Sequence, residues 1–417
     1  MTPADRRVRR ALATFLLGDA SRSAAAAERL TDPDWEALAA LGAAWRVLPA
    51  LRRRVAALDL ALPPEAAAKL RRSSAAAAAQ SAFVVHGAAR AVDHLAAAGI
   101  PSAVCKGVGL VGALGLDPAE RMLLDVDLLV APSDAPRALA VLTGAGAEVV
   151  DFPGAPRALT DPAAWAGVLA RRSRLGNLAV AVRDTDGLEV DLHWGIGVRG
   201  GPTLDPITIV ERAEHAEVRG GVLRVVAPPD AVLITLDHAL RSGLMPPTTL
   251  KDLDDLIRWW RFAGERWDPA ALARTAEGVG LDAALFTAWR LLGRWGAVPA
   301  ADVEAERLGR SLPARAARRA AALVGVFDDQ LDHGALDADL LVLLSSPARF
   351  RLVAGWARRR LRRSGAAPGV PARPLGERCR RMLAEARPRR LALYRAVIGA
   401  QGGHREATGR STPTPTA

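Results

Sequence analysis

The chain of 417 residues is poor in cysteine, with only Cys105 and Cys379. They lie far apart and have no paired neighbours, which excludes a disulfide framework and a cysteine-based zinc site. The sequence also lacks any run of about 18 apolar residues, the length that a membrane-spanning helix needs. Its arginine-containing N-terminus has no convincing cleavage site. We therefore expect a cytoplasmic protein without a membrane span.

Lysine is almost absent: of the 56 basic residues, only three are lysines, Lys69, Lys106 and Lys251. The net charge of +11 is also unevenly placed, because residues 351–417 hold sixteen arginines and three glutamates, a charge of +13, and residues 1–350 carry −2. The basic C-terminal helices could contact an acidic partner or an anionic surface. No aromatic stripe for base stacking accompanies them, so nucleic acid is disfavoured as a partner.

The pattern of apolar residues and turns predicts three structured segments and a tail. Half of the residues are apolar and a quarter are charged, as in globular proteins. We expect an α/β (α+β) fold, in which a small mixed sheet is flanked by N-terminal and C-terminal helical regions. The predicted segments are an N-terminal helical region (1–98), an α/β core (99–227), a C-terminal helical domain (228–400) and a disordered tail (401–417).

Strands of the predicted core are recognised by alternation and by tight turns. A short strand at 102–105, a glycine-rich turn and a helix precede the strand that ends at Val130. Asp186-Gly187 and Gly220-Gly221 then mark two hairpins. Residues 152–173 fit no clear pattern. The hairpin strands are expected at 177–183, 188–194, 213–219 and 222–226, and later helices are expected to start at Pro229, Thr248, Asp268, Asp282 and Pro313, with basic ones near 347 and 374.

Two aspartates give the first indication of chemistry. Asp125 and Asp127 stand at i and i+2 of the strand in Leu-Asp-Val-Asp-Leu, so both side chains project from the same face. Two neighbouring carboxylates repel each other unless a cation lies between them, and Mg²⁺ prefers such oxygen ligands. The pattern would also fit an exposed strand face with two ordinary aspartates.

A second strand supplies a third carboxylate. Glu189, Asp191 and His193 alternate along one face of the predicted hairpin strand. With Asp125 and Asp127, Asp191 would complete a two-metal site for Mg²⁺ or Mn²⁺, in which one ion holds a triphosphate and the other lowers the pKa of an acceptor hydroxyl. Glu189 and His193 are candidates for groups that steady these ligands. A hydrated hairpin edge and a packed histidine would give the same pattern.

These motifs resemble the uncharacterised nucleotidyltransferase family of the DNA polymerase β-like nucleotidyltransferase superfamily. The resemblance covers about residues 80 to 260 and rests on Lys106-Gly107, Arg121, the Asp125/Asp127 strand and Asp191-Leu-His-Trp. It implies a small mixed sheet, catalytic metal ligands at Asp125, Asp127 and Asp191, and transfer of a nucleoside monophosphate from an NTP such as ATP. The wider superfamily has Gly-Ser or Gly-Gly in the turn where this chain has Lys106-Gly107.

Four residues are candidates for binding the nucleotide. Gly107 would let phosphate approach the backbone, and Lys106 and Arg121 could supply positive charge to it. Lys251 could reach the triphosphate from a later helix. Lys106 and Arg121 could instead be exposed cations or form a salt bridge with Asp117 or Glu120. Lys251 could instead belong to a surface ion pair with Asp255.

A competing motif overlaps the same glycines. Gly107, Gly109 and Gly112 match G-x-G-x-x-G, which follows a strand and opens a helix in NAD-binding Rossmann folds. That motif gives no role to Asp191, so we favour nucleotidyl transfer to an unidentified acceptor: a small molecule, sugar, peptide or protein. A catalytically weak or inactive nucleotide-binding or partner protein, and an enzyme that transfers phosphate instead of nucleotide, would also fit the motifs.

Overall fold

The computed structural model describes most of the first 333 residues. The described ranges are 2–150, 161–174, 178–197, 203–218, 221–241, 246–263, 268–298, 300–312 and 314–333. The basic helices predicted near 347 and 374, and the predicted tail, lie outside the described residues. Among the described residues, no helix is long and apolar enough to cross a lipid bilayer.

Five helices precede the sheet, as the N-terminal pattern predicts. In the first, Thr2 and Asp5 form a reciprocal capping box and Pro3 occupies the first turn, where its missing N–H is no loss. The fifth begins after Pro63 and runs for 34 residues. The helices are α1 (Pro3–Leu17), α2 (Ala20–Ala27), α3 (Asp32–Ala44), α4 (Leu48–Ala57) and α5 (Pro64–Ala97).

A seven-stranded mixed sheet follows, and all its strands lie within residues 99–227. Both predicted hairpins are present, and Gly187 adopts the left-handed conformation (φ 87°) that the first turn requires. The strands of the sheet, in chain order, are β1 (Ser102–Cys105), β2 (Asp125–Val130), β3 (Glu148–Val149), β4 (Ala179–Arg183), β5 (Glu189–His193), β8 (Glu214–Val218) and β9 (Gly221–Val225), while β6 (Ile196–Gly197) and β7 (Thr203–Leu204) pair separately.

The strand order is β3-β4-β5-β2-β1-β9-β8. β2 pairs antiparallel with β1 and parallel with β5, so the central strand lies between the preceding strand and a strand of the later hairpin. A dinucleotide-binding unit requires its first two strands to be parallel and joined by a crossover helix. The antiparallel pairing of β1 and β2 therefore shows that the NAD-binding interpretation is wrong.

Helices cover the sheet and follow it as far as residue 333. One of them, α8, lies in the described part of the segment that fitted no clear sequence pattern, and α14 was not among the expected helices. The core helices are α6 (Lys106–Ala113), a 3₁₀ turn (Pro118–Glu120), α7 (Ala135–Gly144), α8 (Pro162–Arg174) and α9 (Pro206–Glu211), followed by α10 (Pro228–Arg241), α11 (Pro246–Ala263), α12 (Pro269–Gly278), α13 (Asp282–Trp295), α14 (Ala300–Ser311) and α15 (Ala314–His333).

The two faces of the sheet belong to different apolar clusters. Val126 and Leu128 pack in one cluster with the second half of α5, with α7 and with Trp165 of α8. Leu129 and Ala103, from the opposite face, join a larger cluster built from helices of both ends of the chain. Because strand side chains alternate, the face of Leu129 is also the face of Asp127.

The helices before and after the sheet pack on each other. α1 contacts α11 and α15. Arg10 donates two hydrogen bonds of 2.7 Å to Asp332, and Arg53 donates one of 2.7 Å to Asp254. The two helical regions therefore share one apolar core, on the side of the sheet that carries the predicted metal ligands.

Candidate metal and nucleotide site

The parallel register of β2 and β5 brings the predicted acids together. Asp127 lies opposite Asp191, and Leu129 lies opposite His193. Since paired residues of neighbouring strands point to the same face, Asp127, Asp191 and His193 converge. One ligand atom from each of the three lies within 4.8 Å of the others. The structure thus groups two carboxylates and an imidazole that could hold a metal ion.

Asp127 is buried and strongly paired. Its Oδ1 accepts a hydrogen bond from Lys106 Nζ and lies 3.0 Å from His193 Nε2. Burial by itself would raise the pKa of Asp127, but the charges of Lys106 and His193 outweigh it and hold this pKa well below its ordinary value. Asp127 is therefore ionised at neutral pH.

Asp191 has the opposite electrostatic situation. Burial and the neighbouring charge of Asp127 raise the pKa of Asp191 from 3.8 to about 7, and Lys106 opposes this only in part. Asp125 and Glu189 add further repulsion. A divalent cation between Asp127 and Asp191 would remove this repulsion, so the electrostatics of the pair favour metal binding.

Asp125 and Glu189 lie at the edge of the site. Asp125 is exposed at the start of β2 and is paired in register with Glu189, whose carboxylate is 3.7 Å from Arg183. Asp125 is not one of the three residues whose ligand atoms converge, and His193 takes that place. The sequence pattern suggested His193 only as support for the ligands, because a strand histidine beside Trp194 is more often a packing residue.

The turn after β1 places Lys106 at the site. Lys106 has φ 52°, a left-handed conformation that costs a non-glycine residue roughly 1 kcal/mol. Gly107 follows, and a Cβ there would lie 2.7 Å from Leu123 Cδ2 and 3.7 Å from Arg121 Nη2. A side chain at 107 would therefore force Leu123 to shift, and the turn holds the Lys106 amine against Asp127.

Arg121 lies beneath this turn in a buried salt bridge. Its Nε and Nη2 each donate a 2.8 Å hydrogen bond to Asp255 of α11, and Nη1 donates to the carbonyl of Met122. Burial would lower the pKa of Arg121, but Asp255 more than compensates and raises it. The partner of Arg121 is therefore neither Asp117 nor Glu120, the two acids that the sequence suggested. The structure places Arg121 as a link between α11 and the Gly107 turn.

Lys251 lies on α11 one turn before Asp255. Its Nζ is 3.8 Å from Asp252, whose other oxygen is 2.9 Å from Nδ1 of His238 on α10. His238 belongs to none of the sequence motifs. Only the packing of α10 against α11 brings it to Asp252, so no local pattern could have identified it.

Comparison with models of protein families finds a match for this chain. The model of the family described as uncharacterised nucleotidyltransferase matches residues 31–297. The matched range contains α3 to α13, with the whole sheet and every candidate residue described above. No curated protein and no solved structure matches the chain.

Proposed function

Because the chain belongs to the uncharacterised nucleotidyltransferase family, we propose that it is a metal-dependent enzyme that transfers a nucleoside monophosphate from an NTP to an acceptor hydroxyl. Family membership supports nucleotidyl transfer in general terms. The observation that carries the proposal is the convergence of Asp127, Asp191 and His193 on one face of the sheet. The identity of the metal, Mg²⁺ or Mn²⁺, and the use of ATP or another NTP are parts of the proposal.

The donor set fits a divalent cation. The carboxylates of Asp127 and Asp191 suit Mg²⁺ or Mn²⁺, with substrate phosphate completing the coordination, whereas an imidazole is a more usual ligand of ions such as Zn²⁺, so His193 would be the weakest of the three ligands. Lys106 offsets the charge of Asp127, yet the pKa of Asp191 stays raised, so the site still favours additional positive charge. Asp127, Asp191 and His193 would hold the ion, and Asp125 would approach from the rim. When bound, the metal would neutralise triphosphate oxygens and acidify the acceptor hydroxyl.

The remaining residues would position the phosphates and move one proton. The backbone at Gly107 and the amine of Lys106 would bind the triphosphate beside Asp127. Asp191 would accept the proton of the acceptor hydroxyl as a general base. The acceptor oxygen then bonds to the α-phosphorus, the bond between the α-phosphorus and its bridging oxygen breaks, and pyrophosphate leaves. Lys251 would contact the leaving phosphates.

Transfer of label from NTPs tests this proposal. The full chain is incubated with Mg²⁺, a cell extract as the source of acceptor, and ATP or another NTP labelled at either the α- or the γ-phosphate. We expect acceptor labelling from α-labelled NTP only, together with pyrophosphate release. Asp127→Asn should abolish both while the thermal unfolding temperature stays within a few degrees of wild type.

The matched control is Asp93→Asn, which removes an exposed carboxylate from α5 on the other side of the sheet. It should leave labelling unchanged. Labelling by the γ-phosphate would establish phosphate transfer instead. NTP binding without any labelled product, or full activity of Asp127→Asn, would overturn the proposal.

A further inference from the structure

His238, Asp252 and Lys251 form a second polar cluster where α10 meets α11. His238 Nδ1 is 2.9 Å from one Asp252 oxygen, and Lys251 Nζ is 3.8 Å from the other. The side chain of Asp252 is only 3% exposed, whereas those of His238 and Lys251 are 27% and 24% exposed. One buried carboxylate thus hydrogen-bonds His238 and forms an ion pair with Lys251, and both basic groups are partly exposed.

The cluster is fixed relative to the predicted nucleotide turn. Asp255 follows Lys251 by four residues, so the two side chains lie on one face of α11. Asp255 binds both Nε and Nη2 of Arg121, and Nη2 lies 3.7 Å from where a Cβ of Gly107 would be. The charge of Asp252 also contributes to raising the pKa of Arg121. Lys251 therefore lies one helical turn along α11 from Asp255, which contacts the Lys106-Gly107 turn through Arg121.

The charge of this cluster complements that of the sheet. The sheet site has an excess of carboxylates, whereas here two basic groups share one carboxylate. A nucleoside triphosphate is complementary to both sites. Its terminal phosphates carry most of its negative charge and bind Lys and protonated His through charge-assisted hydrogen bonds. His238 uses Nδ1 toward Asp252, so it could donate a hydrogen bond from Nε2 to a phosphate oxygen only in its doubly protonated form, which the negative charge of a bound phosphate would favour.

We propose that His238 and Lys251, held in place by Asp252, form a phosphate-binding site for the terminal phosphates of the NTP, opposite the Lys106-Gly107 turn. The inference rests on the proposed function and extends it, since the sequence indicated no role for His238 or Asp252. Asp252 acts as a positioning residue, because it orients both basic groups without contacting the nucleotide.

Calorimetric titration of the full chain with ATP, ADP and AMP in Mg²⁺ tests the site without any acceptor. A hydrogen bond to a charged group contributes about 1.5–3 kcal/mol, which is roughly tenfold or more in affinity. His238→Gln and Lys251→Met should each weaken ATP binding about tenfold. AMP, which lacks the terminal phosphates, should bind to these variants as it does to wild type.

Two further variants complete the test. His215→Gln on β8 changes an exposed histidine away from the cluster and should leave ATP affinity unchanged. Asp252→Asn keeps the shape of the side chain but removes the charge that holds the basic groups, and should weaken ATP binding as His238→Gln does.

Three outcomes would overturn the inference. Unchanged ATP affinity in His238→Gln and Lys251→Met, with or without a lower unfolding temperature, would show that the cluster only joins α10 to α11. Equal losses for ATP and AMP would show that it does not recognise terminal phosphates. A wild-type chain that binds no NTP in Mg²⁺ would refute the proposed function as well, which distinguishes the two failures.

Discussion

Two groups of acidic residues, one on the sheet and one on α11, have similar composition and different charge balance. On α11, Asp254 accepts hydrogen bonds from Arg53 and Arg258, and Asp255 is held by Arg121. On the sheet, Lys106 and His193 both contact Asp127, whereas the largest charge effect on the pKa of Asp191 comes from Asp127, of the same sign. The acids of α11 are paired with arginines that connect α11 to α4 and to the residues before β2. The negative charge of the sheet acids is not balanced in this way, so a cation would stabilise it.

The two groups of acids differ in the sign of the charge that lies beside the buried carboxylate. Burial raises the pKa of Asp254 as well as that of Asp191, so a raised pKa alone does not mark a functional carboxylate. The neighbouring charges differ: the largest effect on Asp254 after burial comes from Arg53, of opposite sign, whereas for Asp191 it comes from Asp127, of the same sign. Repulsion maintained inside a fold is typical of a site that binds a cation.

The largest expected effect tests the structural role of the α11 acids. Arg121→Met leaves Asp255 buried without its partner, and breaking such a pair costs about 3–5 kcal/mol of unfolding free energy. Urea denaturation would measure it. The matched control is Arg274→Met, whose exposed pair with Asp268 should contribute less than about 1 kcal/mol. Equal effects of the two substitutions would contradict the distinction.

A smaller effect should separate Lys106 from the helix cations. Lys106→Met removes a charged hydrogen bond from Asp127 and should lower the unfolding free energy of the metal-free protein by about 2 kcal/mol. Because a divalent cation would replace the lost charge at Asp127, millimolar Mg²⁺ should restore much of this stability. Thermal melts with EDTA and with Mg²⁺ would show it, and a loss that Mg²⁺ leaves unchanged would argue against a metal at Asp127.

A third effect is a pH dependence that arises from Asp191 of the sheet group. The pKa of Asp191 is raised to about 7 in the fold, so its contribution to stability is fully present below its ordinary value of 3.8 and is lost as the pH rises to about 7. Metal binding requires the carboxylate, so metal affinity should instead rise with pH, by up to about tenfold per unit below 7.

Mn²⁺ titrations at pH 6, 7 and 8, with thermal melts in EDTA over the same range, would measure both trends. Asp191→Asn should weaken Mn²⁺ binding and remove the dependence on pH. Retention of the wild-type pH profile in this variant would show that another group is responsible.

Local sequence pattern predicted β1, β2 and the four hairpin strands, and with them the carboxylates, but not the two-residue strands β3, β6 and β7. The Asp186-Gly187 hairpin is present because glycine allows the left-handed turn and because alternation fixed which side chains face inward. The family resemblance is confirmed by the match to residues 31–297. The segment boundaries at 98 and 227 stay predictions, although every strand of the sheet falls between them.

Contacts between distant parts of the chain were not predictable. Arg121 and Asp255 are 134 residues apart, and no local pattern distinguishes this pair from an exposed one. The same holds for His238 and Asp252, which only the packing of α10 on α11 brings together. The prominence of His193 over Asp125 depends on where β2 begins, and strand ends are the least certain feature of a sequence-based prediction.

The register between β2 and β5 also limits how the sequence can change during evolution. A single residue inserted before Asp191 within β5 would move its carboxylate to the opposite face, into the apolar cluster around Val126 and Val190. Length changes should therefore be tolerated in the connections between the elements that lie between the two strands, but not inside β2, β5 or β4, which pairs with β5. Homologous chains of very different length can keep the same carboxylate geometry if their insertions respect these strands.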